Sequence, residues 1–225
     1  MDRPHYVNRC LQALQRSASA LGGDPQAPAW PVLAEMVIQS MSGPWRSFHT
    51  PEHIFDVGEG GNPVEVMAAL FHDLVYVQVD QGINLSLARH LADALQETGQ
   101  GLKLDPAAVG QDPLLRMTVD LFGFAHDQLL NPFGGQNEFL SAVVAVRSMR
   151  DLLPLSVLAR VVACIEATIP FRAVPAEGPD CSEKLRLRLQ TVNRAMSLGL
   201  SEDELVQAVE TAVRVANRDV GNFAS

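Results

Sequence analysis

Lysine is nearly absent from this chain. Its 225 residues include only Lys103 and Lys184, and 26 acidic residues against 17 basic ones give a formal net charge of −9. Proteins that hold nucleic acid do so through clustered Lys and Arg side chains on the phosphate backbone. The one short basic cluster, with Arg186 and Arg188 beside Lys184, fits a solvated helix face better. We therefore expect no nucleic-acid partner, whereas a small anionic substrate remains compatible with this composition.

Cysteine is also scarce, with single residues at Cys10, Cys164 and Cys181. An odd number of cysteines without CxxC spacing is typical of reduced thiols in a cytoplasm. The N-terminus lacks an apolar run behind a basic start, so no signal peptide is expected. The longest apolar stretch, 152–170, contains two charged residues and two prolines, which indicates a buried helix rather than a membrane span. These features predict a cytoplasmic protein without a membrane partner.

Alternation of polar and apolar residues, the pattern of half-buried strands, is hard to find as well. The apolar residues instead recur at helical spacing, and clusters of Gly and Pro separate the periodic stretches. With 47% hydrophobic residues the chain can bury a sizeable core. We predict an all-α protein with a single domain, 1–225, in which 1–44 forms an N-terminal helical layer. The predicted helices cover 5–21, 28–42, 51–58, 63–79, 83–98, 105–122, 137–152, 155–169, 181–198 and 202–221.

A His-Asp dipeptide interrupts one of the most apolar of these segments. From Val64 to Val79 almost every residue is apolar, which predicts a helix buried on most of its circumference. His72 and Asp73 lie at its centre. An ionised carboxylate in a dry core is costly unless it is paired, protonated or bound to a metal. The dipeptide is therefore either a His–Asp pair satisfied by neighbouring hydrogen bonds or part of a metal site.

Two more histidines precede this segment. His49 and His53 are four residues apart around Thr50, Pro51 and Glu52. These three residues predict a helix N-cap, a proline at the first helical position and an acidic first turn. His53 is then inside the new helix and His49 just before it. Both side chains can point into the same cleft.

The C-terminal segment contributes a second carboxylate. Ser201 and Glu204 have the spacing of a capping box and predict the start of a long helix, and Asp219 lies beside the apolar stripe of that helix. Two imidazoles and two carboxylates from three predicted helices result, namely His53, His72, Asp73 and Asp219. Such nitrogen and oxygen ligands suit Mn, Fe, Co, Ni or Zn, and also Mg when waters complete an octahedron. The four residues predict a site for a divalent metal ion.

The order of these residues resembles a known family. His, then His-Asp, then Asp on a helical scaffold is similar to the HD-domain superfamily of metal-dependent phosphohydrolases. The segment FHTPEH at 48–53 is similar to an aromatic-His-Asn-x-x-His signature in the cyclic nucleotide phosphodiesterase branch of that superfamily. The resemblance extends from about Trp45 to Phe223. It implies an HD-domain-like helical bundle that binds one or two divalent ions.

The resemblance also implies roles for individual residues. The implied metal ligands are His53, His72, Asp73 and Asp219. Asp73 would bridge two ions where a second one binds, and His49 would donate a proton to the leaving group. Because Thr50 replaces the usual Asn and the interval from His53 to the His-Asp dipeptide is short, His49 remains the alternative first ligand. In the metal-free protein, repulsion between the Asp73 and Asp219 carboxylates is expected to raise the pKa of at least one of them.

The implied activity is hydrolysis of a small phosphate ester by metal-activated water. A nucleotide, a cyclic nucleotide or another phosphomonoester fits this chemistry. Arg46 and Arg172 are the candidates for binding the phosphate. Glu166 is either part of the helix that lines the active cleft in HD proteins or simply a polar residue at a helix end. A second His-Asp dipeptide, at 126–127, lies beside a glycine-containing loop and is interpreted as a surface feature.

Two other functions compete with this one. A catalytically idle HD fold could serve as a module that binds a ligand or a partner, which the altered signature allows. An HD-type di-iron oxygenase would need additional histidines, and only His5, His90 and His126 are left.

Overall fold

The computed structural model describes residues 2–170 and 178–223, and within these ranges most elements are helical. The prediction of an all-α protein is confirmed, because helices make up 61% of the structure and only two short strands occur in the described part. In chain order the elements are α1 (Arg3–Ala20), α2 (Ala29–Met41), α3 (Pro51–Gly58), α4 (Pro63–Phe71), α5 (Leu85–Ala88), β1 (Leu95–Thr98), β2 (Gly101–Leu104), α6 (Pro106–Gln111), α7 (Pro113–Phe122), α8 (Gln136–Ser148), α9 (Leu155–Ala167), α10 (Cys181–Ala195) and α11 (Glu202–Phe223).

Helix α9 forms the centre of the bundle. Its sequence, LSVLARVVACIEA, is apolar at nearly every position, so little of its surface can remain in water. Helices α4, α7, α8, α10 and α11 all pack against it. Two of the helices that carry predicted ligands, α4 and α11, therefore share one apolar core.

The apolar segments are buried within the bundle. Among the described residues, no helix is long and apolar enough to cross a membrane.

Cys164, in the middle of α9, is a free thiol whose pKa burial raises to about 12. A thiol in that environment is unreactive and acts as a small core residue.

Helices α1 and α2 pack against each other, and α1 also packs against α4. Leu14 and Trp30 are fully buried in this contact region. The Trp30 indole N–H donates to the Asp24 carbonyl at 2.8 Å, so the polar edge of this large ring is satisfied. These two helices occupy the stretch predicted as an N-terminal layer, whose status as a separate layer stays a prediction.

The predicted helix 83–98 is wrong over most of its length. Only the four residues of α5 are helical, and β1 pairs antiparallel with β2. Gly101 has a φ of 124°, which favours glycine, and the Thr98 hydroxyl donates to its carbonyl at 2.8 Å. Backbone hydrogen bonds between β2 and 128–130, donated in both directions, extend the hairpin. These non-local partners, which helical spacing does not reveal, decide the strand conformation.

Helix α4 ends at Phe71, well before the predicted end at residue 79. Beyond that end, side-chain oxygens of Asn137 and Ser141 in α8 accept backbone N–H groups of the loop at 3.2 and 3.0 Å. The loop thus satisfies its amide groups without helical hydrogen bonds. The His-Asp dipeptide consequently lies at the C-terminal end of a helix and not at its centre.

Candidate metal centre

The C-terminal end of α4 presents two of the predicted ligands. His72 is the residue that caps the helix and is 1% exposed. Its Nδ1 lies 2.9 Å from the Ala69 carbonyl oxygen. Because a carbonyl oxygen can only accept, Nδ1 carries the proton, and Nε2 is the atom that faces Asp73 and the site. A ring held in this way by its other nitrogen is typical of metal-binding histidines.

Helix α3 supplies the first histidine. Its observed bounds, Pro51–Gly58, equal the predicted ones, because Thr50 enters in an extended conformation and Pro51 has the backbone angle of a first helical residue. His53 follows in the first turn and is buried. Helix α3 packs against both α4 and α11, which brings the three ligand-bearing helices together.

A buried carboxylate on α4 positions Asp219. Glu65 accepts hydrogen bonds from Arg214 Nε at 2.7 Å and from Arg218 Nη2 at 2.9 Å, both in α11. Arg218 also donates to the Val57 carbonyl at the end of α3, at 2.7 Å. Asp219 follows Arg218 directly in the chain. The two arginines therefore hold α11 against α3 and α4 at the height where Asp219 meets the histidines.

The four ligand atoms form one compact group. His53 Nε2 lies 3.2 Å from Asp73 Oδ2 and 3.2 Å from Asp219 Oδ1. His72 Nε2 lies 3.0 and 3.3 Å from the same two oxygens, and the two imidazole nitrogens are 3.3 Å apart. Ligands about 2.1 Å from one ion are separated by about 3.0 Å at right angles and by about 3.4 Å at tetrahedral angles. The observed distances lie in this range, so the group could hold a metal ion.

The Asp73 carboxylate gives a separate test of this interpretation. Its Oδ2 is buried and lies 3.0 to 3.7 Å from three imidazole nitrogens. It makes no hydrogen bond of acceptable geometry with any residue that the structure describes. A buried carboxylate oxygen in that state is unfavourable. A divalent cation among the same nitrogens would satisfy it, and imidazole with carboxylate is a donor set that such cations accept.

In the metal-free protein, protonated imidazoles stabilise both carboxylates. Burial raises the pKa of Asp73, but the His72 charge and the contact with His53 outweigh it and hold the pKa well below the usual value. Burial also raises the pKa of Asp219, but the same two histidines outweigh this effect and lower the pKa. The expectation that one carboxylate has a raised pKa is therefore wrong. Each carboxylate contacts imidazoles, and these contacts outweigh the repulsion between the two acids.

His49 lies at the edge of this group. Its Nε2 is 3.7 Å from Asp73 Oδ2, and its ring meets Tyr76 edge to face with 4.8 Å between centroids. Burial lowers its pKa, and the neighbouring histidine charges add to this effect against the opposing Asp73 charge. The structure places His53, and not His49, in the four-residue group. His49 lies beside that group, where the predicted proton donor would be.

The Arg46 side chain has a different environment from the one predicted. It is fully buried, and its guanidinium donates to the Asp80 carboxylate and to the carbonyls of Asp73 and Leu74. The N–H groups of this guanidinium thus already have hydrogen-bond partners within the protein. This arrangement conflicts with the prediction that Arg46 binds phosphate.

Glu166, the other candidate for the cleft, is 1% exposed and accepts a hydrogen bond from Arg188 Nη2 at 2.5 Å. Both residues line a cavity of about 420 Å³ with three phenylalanines. The described residues around this cavity include none of the four ligands. Arg172 lies outside the described residues. The second His-Asp dipeptide, 126–127, is exposed, in agreement with its interpretation as a surface feature.

Glu138 is a neighbour of the site that the sequence did not reveal. It lies in the first turn of α8, between Asn137 and Ser141, whose side chains hold the loop after α4. Burial raises its pKa to about 7, and the charges of Asp73 and Asp219 add to this rise. In the sequence it is indistinguishable from an ordinary acidic residue at a helix start.

Comparison with known proteins adds no family assignment. The chain matches no protein-family model, no curated protein and no solved structure. The resemblance to HD domains therefore depends on the residues and their spacing alone and stays a prediction.

Proposed function

We propose that this protein is a metal-dependent phosphohydrolase of the HD type, which cleaves a small phosphate ester with metal-activated water. The observation that supports the proposal is the group of four ligands from three helices, all within 4.8 Å of one another. Burial of two carboxylates beside two imidazoles is costly without a cation or protons to neutralise them. Such clusters are concentrated at functional sites.

A divalent ion held by the group would supply Lewis-acid chemistry, because it lowers the pKa of water from about 15.7 toward 7 and polarises a phosphoryl oxygen. The ligands would be His53, His72, Asp73 and Asp219. The two carboxylates would provide most of the attraction for the cation, and the Ala69 carbonyl would keep the His72 ring in its binding orientation.

His49 is near enough to exchange a proton with a substrate bound at the group. Its Nε2 is 3.7 Å from Asp73 Oδ2, and its side chain is 18% exposed. As a general acid it must be protonated, and its pKa is lower than the usual 6.5. Proton donation by His49 should therefore weaken as the pH rises toward neutrality.

The first test is metal content and substrate range. Purified protein would be analysed for bound metal and assayed against nucleotides, cyclic nucleotides and other phosphomonoesters with Mn, Mg, Fe, Co, Ni and Zn in turn. Near-stoichiometric metal and turnover of one substrate class are expected. Protein that stays metal-free and cannot be loaded would favour the idle binding module, and two irons would favour the oxygenase.

The chain offers a matched pair of His-Asp dipeptides for the next test. Added metal should stabilise the wild type by mass action, by about 2.7 kcal/mol at a hundredfold excess over the dissociation constant. Asp73→Ala should abolish this rise in Tm. Asp127→Ala, in the exposed dipeptide, should retain it, because Asp127 pairs with Lys103 and is not one of the four ligands. A metal response that survives in Asp73→Ala would remove Asp73 from the site.

The roles of His49 and His53 can be separated by comparing substrates that differ in their leaving group. His49→Ala should keep metal binding and lose most turnover of alkyl phosphates, whose alkoxide needs a proton to leave. An aryl phosphate with a stable phenolate should be much less affected, since general acid catalysis contributes roughly 10²–10⁴-fold only where the proton is needed. His53→Ala should lose metal and both activities. Loss of metal in His49→Ala instead would reverse the two roles.

A further inference from the structure

Arg46 connects the segment before His49 with the loop after α4 and with Asp80. It lies three residues before His49, and its side chain is 0% exposed. Its Nη1 donates to the Asp73 carbonyl at 2.5 Å and its Nη2 to the Leu74 carbonyl at 3.0 Å. Its Nε donates to Asp80 Oδ1 at 2.9 Å, which neutralises the buried charge and orients the guanidinium plane.

The position of these carbonyls explains why an arginine is suitable. The last carbonyl groups of a helix have no partner within the helix, and the negative end of the helix dipole favours a cation there. Helix α4 ends at Phe71, and the chain turns immediately afterwards. The planar fork of Arg46 reaches two successive carbonyls just beyond that end and still holds Asp80, which a lysine ammonium cannot do with the same geometry.

This contact matters because the imidazoles attract the Asp73 carboxylate without a well-directed hydrogen bond to it. Its Oδ2 makes no hydrogen bond of acceptable geometry with any residue in the described part of the chain, although three imidazole nitrogens surround it. The direction of the carboxylate thus depends on the backbone at Asp73. The carbonyl of that backbone accepts the hydrogen bond from Arg46 Nη1.

We propose that Arg46, oriented by Asp80, is a positioning residue that fixes the backbone of Asp73 and so sets its carboxylate for metal binding. The proposal depends on the metal-binding part of the proposed function and not on the reaction. Loss of a group that orients a metal ligand commonly weakens metal affinity by 10–100-fold. The same range is expected here.

The chain provides a control with nearly the same local chemistry. The Arg147 side chain is 9% exposed, and its guanidinium donates to the carboxylates of Asp112 and Asp93 and to the His90 carbonyl. None of these partners belongs to the four-residue group. Arg46→Lys and Arg147→Lys should therefore lower the Tm similarly, whereas only one of them should affect metal affinity.

The test is calorimetric titration of metal-free protein with Mn²⁺ and with Zn²⁺, alongside Tm measurements. Arg46→Lys should raise the dissociation constant about 10–100-fold, and Arg147→Lys should leave it within about twofold of the wild type. Asp80→Asn, a milder change for the case in which Arg46→Lys does not fold, should raise it several-fold. If the Arg46→Lys and Asp80→Asn variants both fold and both bind metal with wild-type affinity, the positioning role is overturned. The metal site itself is not affected by that result.

The other outcomes remain distinguishable. A wild-type protein that takes up neither ion would overturn the metal site and the positioning role together. A wild-type protein that binds metal but hydrolyses no phosphate ester would overturn only the proposed reaction. In that case the comparison of Arg46→Lys with Arg147→Lys would still decide the positioning role.

Discussion

Replacement of Glu65 with Gln should destabilise the protein by detaching α11 from α4. Glu65 is 3% exposed, and its oxygens accept the Arg214 and Arg218 guanidinium groups and the Asn62 backbone N–H. A glutamine keeps the shape but directs an N–H₂ group at arginine donors. Removal of one partner from a buried ion pair costs about 3–5 kcal/mol. Because the arginine side chains are 50% and 27% exposed and can reach water, we expect about 2–3 kcal/mol at pH 7.

The loss should depend on pH in a defined direction. Burial raises the pKa of Glu65, but the hydrogen bonds from Arg218, Arg214 and Asn62 outweigh it and lower the pKa below 4.5. A carboxyl group with a lowered folded-state pKa contributes its stability above the unfolded value and loses it as the pH falls through the folded value. The difference between wild type and Glu65→Gln should therefore be full above about pH 4.5 and shrink in more acidic solution.

Urea denaturation followed by circular dichroism measures this difference. Glu183→Gln is the matched control, because Glu183 also receives two hydrogen bonds from an arginine, Arg186, but on an exposed helix surface. We expect no measurable change in that variant. Glu65→Gln should also weaken metal binding, since Arg218 no longer fixes the helix that carries Asp219. A cost in Glu65→Gln as small as in the control, or a cost that persists undiminished in acid, would refute this account of how α11 is held.

Two further predictions concern protons at the site. Burial lowers the pKa of His72, but the charge of Asp73 and the contact with Asp219 outweigh it and raise this pKa well above 6.5. The pKa of the second imidazole ligand, His53, is also raised. Metal uptake at pH 7 should therefore release at least one proton and tighten at least tenfold per pH unit below the His72 pKa. Calorimetry in two buffers with different ionisation enthalpies measures the release, and equal heats in both would contradict it. Burial raises the pKa of Glu138 to about 7 from 4.5, so the stability that its neutral form contributes is complete below pH 4.5 and lost as the pH rises through 7. Relative to wild type, metal-free Glu138→Gln should gain about 3 kcal/mol between pH 4 and pH 8, and urea midpoints that shift in parallel at both pH values would count against the raised pKa.

Local signals in the sequence were sufficient for several parts of the structure. The bounds of α3 follow from Thr50 and Pro51, and the capping box at Ser201 with Glu204 forms as expected. A second capping box, Asn62 with Glu65, begins α4. A cap depends on residues at most three or four apart, so the chain specifies it without knowledge of the fold. The types of ligand were also readable, because histidine and aspartate inside apolar segments need partners wherever the chain folds.

Tertiary contacts decided the rest. Helix α4 stops at Phe71 because α8 side chains hold the loop that follows it, and α8 lies more than sixty positions further along the chain. The hairpin at 95–104 forms instead of a helix because the segment 128–130 pairs with it.

The roles of individual charged residues were decided in the same way. Arg46 contacts the backbone of Asp73, and Glu65 contacts the helix that carries Asp219, through partners that sequence spacing cannot identify. Residue types and local caps are properties of the chain itself, whereas the 3.0–3.3 Å distances between the ligand atoms exist only where three helices meet.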